Sequence, residues 1–425
     1  STVAGSVTSN ATVCSGANGG TLTLSGQTGA VQYWEYSTNG GTTWTNIANT
    51  TTSQAYSNLL VTTMYRANVK NGTCTAVNST AATITVNSAS SGGTTSASTH
   101  VCSGSNSGTI TLSGNVGAVQ KWESSTDGVI WNNIANTTTS QPYTNLTTTT
   151  YYRAVVQNGS CTSANSTIDT ITVDPVSVGG SVSSSTNVCY GNNSGSLTLT
   201  GNNGSIVRWE FSTDNGATYN PIANTTSTYN YLNITLTTLY RAVVKSGSCS
   251  TANSSVATIT VNALSVGGTV LGNATVCSGN NSGTLTLTGK TGSVQNWESS
   301  TNSGTTWTPV INTTTTLNYT NVAVTSFYRA VVKSGACSID TSSVAIVTVD
   351  AASVGGTISG ADTVCKNANS GMLTLTGYTG TIQYWAFSTD NGVTWLTLGN
   401  TSATQSYLNL STTTSYRVFV KNHQM

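Results

Sequence analysis

Nine cysteines stand in register along the chain, at positions 14, 74, 102, 161, 189, 249, 277, 337 and 365. Taken as pairs, the first members recur at steps of 88, 87, 88 and 88 residues, and the members of a pair lie 60, 59, 60 and 60 apart. Twenty residues after each first cysteine comes a tryptophan: Trp34, Trp122, Trp209, Trp297 and Trp385. The stretches "SSGGTT", "SVGGSV", "SVGGTV" and "SVGGTI", beginning at 90, 177, 265 and 353, recur with the same period. A period this regular commits the 425 residues to five tandem copies of one small unit. We place the copies at 1–87, 88–174, 175–262, 263–350 and 351–425. The fifth copy reads as incomplete. Its second cysteine is due at position 425, where Met425 stands, so Cys365 reads as unpaired by truncation.

Paired cysteines at a fixed spacing imply an oxidising compartment and one disulfide per copy. The expected pairs are Cys14–Cys74, Cys102–Cys161, Cys189–Cys249 and Cys277–Cys337. Each would close a loop of about 60 residues, worth roughly 3–4 kcal/mol in the chain-entropy model. Support of that size matters in a unit of under about ninety residues, which buries only a modest core.

Only 6% of the residues are charged and the net charge is +1, which gives no electrostatic footprint for nucleic acid or an anionic membrane. No apolar run reaches the ~18 residues that a membrane-spanning helix needs. Thr, Val, Ile, Tyr and Trp favour pleated sheet. In the first copy "TLTLSG" (21–26) sets Leu22 and Leu24 on one face. "VQYWEYS" (31–37) sets Trp34 and Tyr36 on one face, with Tyr33 and Glu35 on the other. "MYRANVK" (64–70) alternates Tyr65, Ala67 and Val69 with Arg66, Asn68 and Lys70. Period-2 segments between turn clusters predict about seven strands, near 3–8, 20–25, 31–37, 43–48, 53–60, 63–71 and 80–87. The fold class is therefore all-β: five tandem β-sandwich repeats of about 88 residues in an elongated array. The cysteine, the central-strand tryptophan as core residue and the late tyrosine strand resemble immunoglobulin-like domains of bacteria. The first cysteine here precedes the "TLTL" strand, so a disulfide would tie strand ends at one pole instead of crossing the core.

Several motifs invite a chemical reading. "STDNGVTW" (388–395) matches the Asp-box of sialidase propellers, "STDNGATY" (212–219) matches it with Tyr for Trp, and two further copies carry Asn for Asp. The structural reading is a hairpin, closed by Asp or Asn with Gly and covered by the aromatic ring. With 12 acidic residues in the whole chain, oxygen donors for Ca²⁺ are too sparse to build a recurring site. The two histidines, His100 and His423, belong to no repeated constellation, and His100 reads as a solvated loop residue. Nothing supports a catalytic triad, a C-x-x-C zinc site or a phosphate loop. Catalytic, cofactor and metal residues are therefore expected to be none. Glu35, Glu123, Glu210 and Glu298 are expected to pair across strands with Arg66, Arg153, Arg241 and Arg329 on a solvated outer face. Ala386 breaks that pattern in the fifth copy. Tyr33 and Tyr384, beside the core tryptophan and pointing outward, are the candidate ligand-face aromatics.

Within this frame "VCSGNNSGTLTLTG" (276–289), "VQNWESSTNSGTTWTPV" (294–310) and "YRAVVKSGACS" (328–338) resemble repeats of the SprB-type gliding-motility surface adhesins of Bacteroidetes. The resemblance covers all five copies. It implies a non-catalytic protein exported by type IX secretion and displayed on the outer surface. It also implies partners in the gliding machinery and attachment to substratum polysaccharide. Two other classes are kept open: a purely structural spacer, and a non-catalytic array appended to a secreted polysaccharide-degrading enzyme.

Overall fold

The structure, a computed structural model, describes residues 1–96, 98–183 and 185–422. The expected cysteine position at 425, with His423, lies outside the described residues.

In the first repeat the strands are β1 (Ser6–Thr8), β2 (Ala11–Cys14), β3 (Gly19–Ser25), β4 (Ala30–Ser37), β5 (Thr45–Ile47), β6 (Ser53–Ser57), β7 (Thr63–Lys70), β8 (Val77–Asn78) and β9 (Ala82–Asn87). One sheet runs β1-β3-β6; the other runs β2-β9-β7-β4-β5, with β8 added on β7. The strand expected near 3–8 is β1 alone, and the chain then splits off a second strand, β2, that was not expected. Val7 of β1 faces Leu24 of β3 in one sheet, while β2 lies parallel to β9 in the other, with Cys14 opposite Asn87. The break falls at Ser9, whose φ is +88°, and at Asn10, whose side-chain carbonyl accepts the Thr83 N–H. This split closes the sandwich on both sides with one short run of chain, an immunoglobulin-like arrangement.

The core follows from alternation. Val7, Leu22, Leu24, Val31, Trp34, Tyr65, Ala67, Val69, Ala82 and Ile84 form one buried cluster between the sheets. Trp34 and its four counterparts are fully buried, and the indole N–H of each finds a backbone carbonyl, Thr51 O at 2.9 Å in the first repeat. A ring this size takes most of a small core's volume, and the satisfied N–H removes its polar cost.

The fifth repeat differs. Its larger sheet keeps Thr381–Ser388, Leu396–Leu398 and Ser415–Lys421 only. In this repeat Ile358, Val364, Leu373, Leu410 and Tyr416, among others, line a groove of about 780 Å³. Residues 361–365 form no strand there, because β2 exists elsewhere only by pairing with β9.

Candidate functional site at the joints between repeats

The disulfides are not where cysteine spacing put them. Cys14 bonds Cys161, Cys102 bonds Cys249 and Cys189 bonds Cys337, while Cys74, Cys277 and Cys365 are free thiols. The expected pairs within a repeat, Cys14–Cys74, Cys102–Cys161, Cys189–Cys249 and Cys277–Cys337, are corrected: each bond joins one repeat to the next. The physical reason is the parallel pairing of β2 with β9. It carries Cys14 to the pole where the chain leaves the first sandwich, beside Asn87. The second cysteine follows β7 or its equivalent, at the pole where the chain enters. Two cysteines at opposite poles of one sandwich cannot bond, but those on either side of a linker can. In register the partner of Cys277 is position 425, so Met425 leaves Cys277 unpaired. Cys365, expected to be the one cysteine left unpaired, is one of three free thiols.

Each half of the joint is built locally. On the exit side Asn18 donates its amide to Cys14 O at 2.6 Å and to Leu59 O at 2.8 Å, and its carbonyl accepts the Leu59 N–H. Asn106, Asn193, Asn281 and Asn369 repeat these bonds to the carbonyls of Cys102, Cys189, Cys277 and Cys365. On the entry side a turn presents the second cysteine, closed by Cys161 N–H to Asn158 O at 3.0 Å. The turn is pinned to the linker through Asn158 N–H to Ser90 Oγ at 2.9 Å, with the same bond at Ser246, Ser334 and Asn422.

The two halves also meet without sulfur. The last residue of each β9-type strand, Asn87, Asp174 or Asn262, lies against the entry turn of the next repeat. Asp174 accepts from the Ser248 N–H at 2.8 Å and the Ser248 hydroxyl at 2.9 Å. Those bonds hold its carboxyl below the usual aspartate range. Asn262 accepts from the Ala336 N–H. The turn residue facing them is Gly159, Gly247 or Gly335, at φ of +56°, +46° and +49°. A Cβ at any of these would fall inside the Asn or Asp side chain, so both backbone and contact demand glycine. Sequence reasoning missed this cap. Its signal was present, in the Asn or Asp that ends each "TITVN" or "TITVD" and the glycine two residues before each second cysteine.

The other expected site residues fall as follows. Glu35 and Arg66 stand opposite across β4 and β7 and bond at 2.6 Å. The face is not solvated as expected: Glu35 is 8% exposed, and the Trp44 ring of the next hairpin lies 3.9 Å from the guanidinium. The same sandwich recurs for Arg153 on Trp131, Arg241 on Tyr219 and Arg329 on Trp307. Burial pushes the Glu123 and Glu210 carboxyls up, but their hydrogen bonds from Lys121 and Arg153, and from Arg241 and Arg208, win and hold both below the ordinary range. In the fifth repeat Ala386 fills the glutamate position, and Arg417 keeps Trp395 alone of this pair.

The Asp-box segments are hairpins. Thr218 donates its hydroxyl and N–H to Asp214, which lowers that carboxyl to about 2. Asp390 is held in the same way by Thr394, also to about 2. Their oxygens serve the turn. Trp395 donates its ring N–H to Gly392 O and so covers the hairpin. Tyr33 is half-buried; so is Tyr384, which stacks on Phe419 at 4.5 Å between centroids. The structure does not bring these two aromatics together. His100 lies on the strand Thr99–Cys102 and not in a loop, with its ring 3.5 Å from Asp174.

Fold and joints together define a class: a tandem array of immunoglobulin-like sandwiches whose first three joints are closed by disulfides. The sequence pattern of a domain of unknown function, DUF8696, matches residues 3–88, 91–175, 178–263, 266–351 and 354–424, and the chain belongs to that family. No curated protein matches it. Among solved structures it is similar to Sidekick-1 immunoglobulin domains 1–5, at 10% identity, covering 99% of this chain and 98% of that one, with a TM-score of 0.31. It is also similar to the N-terminal eight Ig domains of Down Syndrome Cell Adhesion Molecule isoform 1.30.30, at 13% identity, covering 99% of this chain and 60% of that one, with a TM-score of 0.27.

Proposed function

We propose that the chain is the repeat region of a large, non-catalytic cell-surface adhesin, an arm that projects from the cell and takes part in attachment. The observation that carries this reading is the closure of successive joints by disulfides. Disulfides persist in oxidising, extracellular settings. Placed across linkers, they hold neighbouring sandwiches against one another, which serves reach and does nothing for catalysis. The surface left between joints is rich in Thr, Ser and Asn and nearly uncharged, suited to contact with polysaccharide. The resemblance to gliding-motility adhesins adds export by type IX secretion, outer-membrane association and work with the gliding machinery.

The test is binding of the purified, oxidised chain to polysaccharide-coated surfaces and a glycan array. Saturable binding supports attachment by the repeats themselves. Absence of binding to every surface, with the chain found on the cell exterior by labelling, reassigns the repeats as a spacer for an adhesive element elsewhere.

A further inference from the structure

The staples interlock into a path that none of them defines alone. From Cys14 the covalent path crosses to Cys161, follows 28 residues to Cys189 and crosses again to Cys337. Those 28 residues include Asp169–Asp174, the β9 equivalent of the second repeat, then Ser181–Val182 and Thr186–Cys189, the first strands of the third. They therefore run from the entry pole of one sandwich to the exit pole of the next. Pulled taut, 28 residues reach about 95 Å. Two folded sandwiches with strands of this length extend over roughly 50–80 Å. The path is thus close to its full length while the repeats are folded. The other strands of these repeats form closed loops hung from the path.

We propose that the array is an inextensible tether: tension applied at its ends is carried along this path, and repeats one to four cannot be drawn out. The third staple, Cys102–Cys249, has no part in the path from end to end. It ties the loop closed by Cys14–Cys161 to the loop closed by Cys189–Cys337. The fifth repeat has no staple of its own among the described residues and remains extensible. This mechanical role rests on the disulfide pairing and not on attachment. A chain that binds no surface can still pass the test below, and a binding chain can fail it.

The experiment is to hold the full chain by its two ends in a force spectrometer, with disulfides mapped on the same preparation. Under non-reducing conditions one long extension is expected, from residues 351–422, of about 200–250 Å. In reductant four more should follow, each of about 300 Å. The decisive comparison uses two double variants. C14S/C161S should lengthen the taut chain by about 120 residues, about 400 Å, because the path then runs to Cys102, crosses to Cys249 and returns along 189–249 to Cys189. C102S/C249S removes a staple of the same 147-residue span and should leave the taut length unchanged. Taut length depends on which disulfides remain and not on how stably each variant folds, so weakened folding cannot mimic the asymmetry. Full-length steps from the first four repeats with all staples intact, or equal lengthening by the two variants, would overturn the proposal.

Discussion

The first three joints and the fourth are made from the same linker but not from the same closure. At the first three, a cysteine beside the end of a β9-type strand bonds a cysteine in the next entry turn, and a glycine in that turn receives an Asn or Asp side chain. At the fourth, Cys277 is a free thiol, and the sequence has His423 and Met425 where glycine and cysteine stand elsewhere. The linker contacts survive the change: Asn422 still donates to Ser353 Oγ at 2.8 Å and to Ala351 O at 2.6 Å. Seating the linker on the turn is therefore independent of the staple. Glycine and cysteine work as a unit, the first admitting the neighbour's side chain and the second locking the contact.

The largest effect should come from making the fourth joint like the others. The H423G/M425C variant is expected to bond Cys277 to the new cysteine across a span of about 148 residues. Closing a loop of that size is worth about 5 kcal/mol in the chain-entropy model. The readouts are loss of the Cys277 thiol to alkylation and a higher melting temperature for the last repeat under non-reducing conditions only. If the thiol disappears and the melting transition does not move, the staple fixes geometry without stabilising the fold.

A second comparison sets the first repeat against the fifth, with and without the glutamate partner. Arg66→Ala would leave Glu35, 8% exposed, without its partner beneath Trp44. Stranding a carboxylate this deeply buried should cost about 2–3 kcal/mol, somewhat less than for a fully buried pair, because the arginine is partly exposed. Arg417→Ala strands nothing, since Ala386 stands opposite, and should cost about 1 kcal/mol of cation–π contact and packing. Denaturant melts of the two variants separate the cases. Equal losses would mean that the arginine acts through ring packing alone.

The sandwich was legible in the sequence because alternation and burial are local: Leu22, Trp34 and Tyr65 read correctly as core from period-2 spacing. The ion pairs were legible as pairs, since Glu35 and Arg66 each sit one residue beyond a core aromatic, but their burial was not, because Trp44 reaches them from the next hairpin. The disulfide pattern was misread for a topological reason. Cysteine spacing is the same whether a bond closes within a repeat or across a joint. The choice depends on the parallel β2–β9 pairing, which arises where a very short strand switches sheets. A four-residue run, "ATVC" at 11–14, gives too little pattern to announce that switch.

The smallest expected effect is a gain, and it compares the second repeat with its neighbours. Asp169 begins the β9-type strand of that repeat, where Ala82, Ala257 and Ala345 begin it elsewhere. It is 2% exposed, and its Oδ1 has no hydrogen-bond partner. Burial pushes its carboxyl above the ordinary aspartate value, against smaller opposing bonds from Ser98, Thr170 and Ser96. A carboxylate desolvated without full compensation costs stability, so Asp169→Ala should stabilise the second repeat by about 1–2 kcal/mol at neutral pH. The pH dependence carries the sign. A carboxyl whose folded pKa is raised favours folding most in its protonated form, below its unfolded value near 3.8, and loses that contribution as pH rises through the folded pKa. The wild-type repeat should therefore fall progressively behind the variant as pH is raised from below 4, and the gap should level off once the folded carboxyl is ionised. Melts of the two chains across that range test the assignment. A gap that does not change with pH would place the effect in packing around the alanine and not in the charge of Asp169.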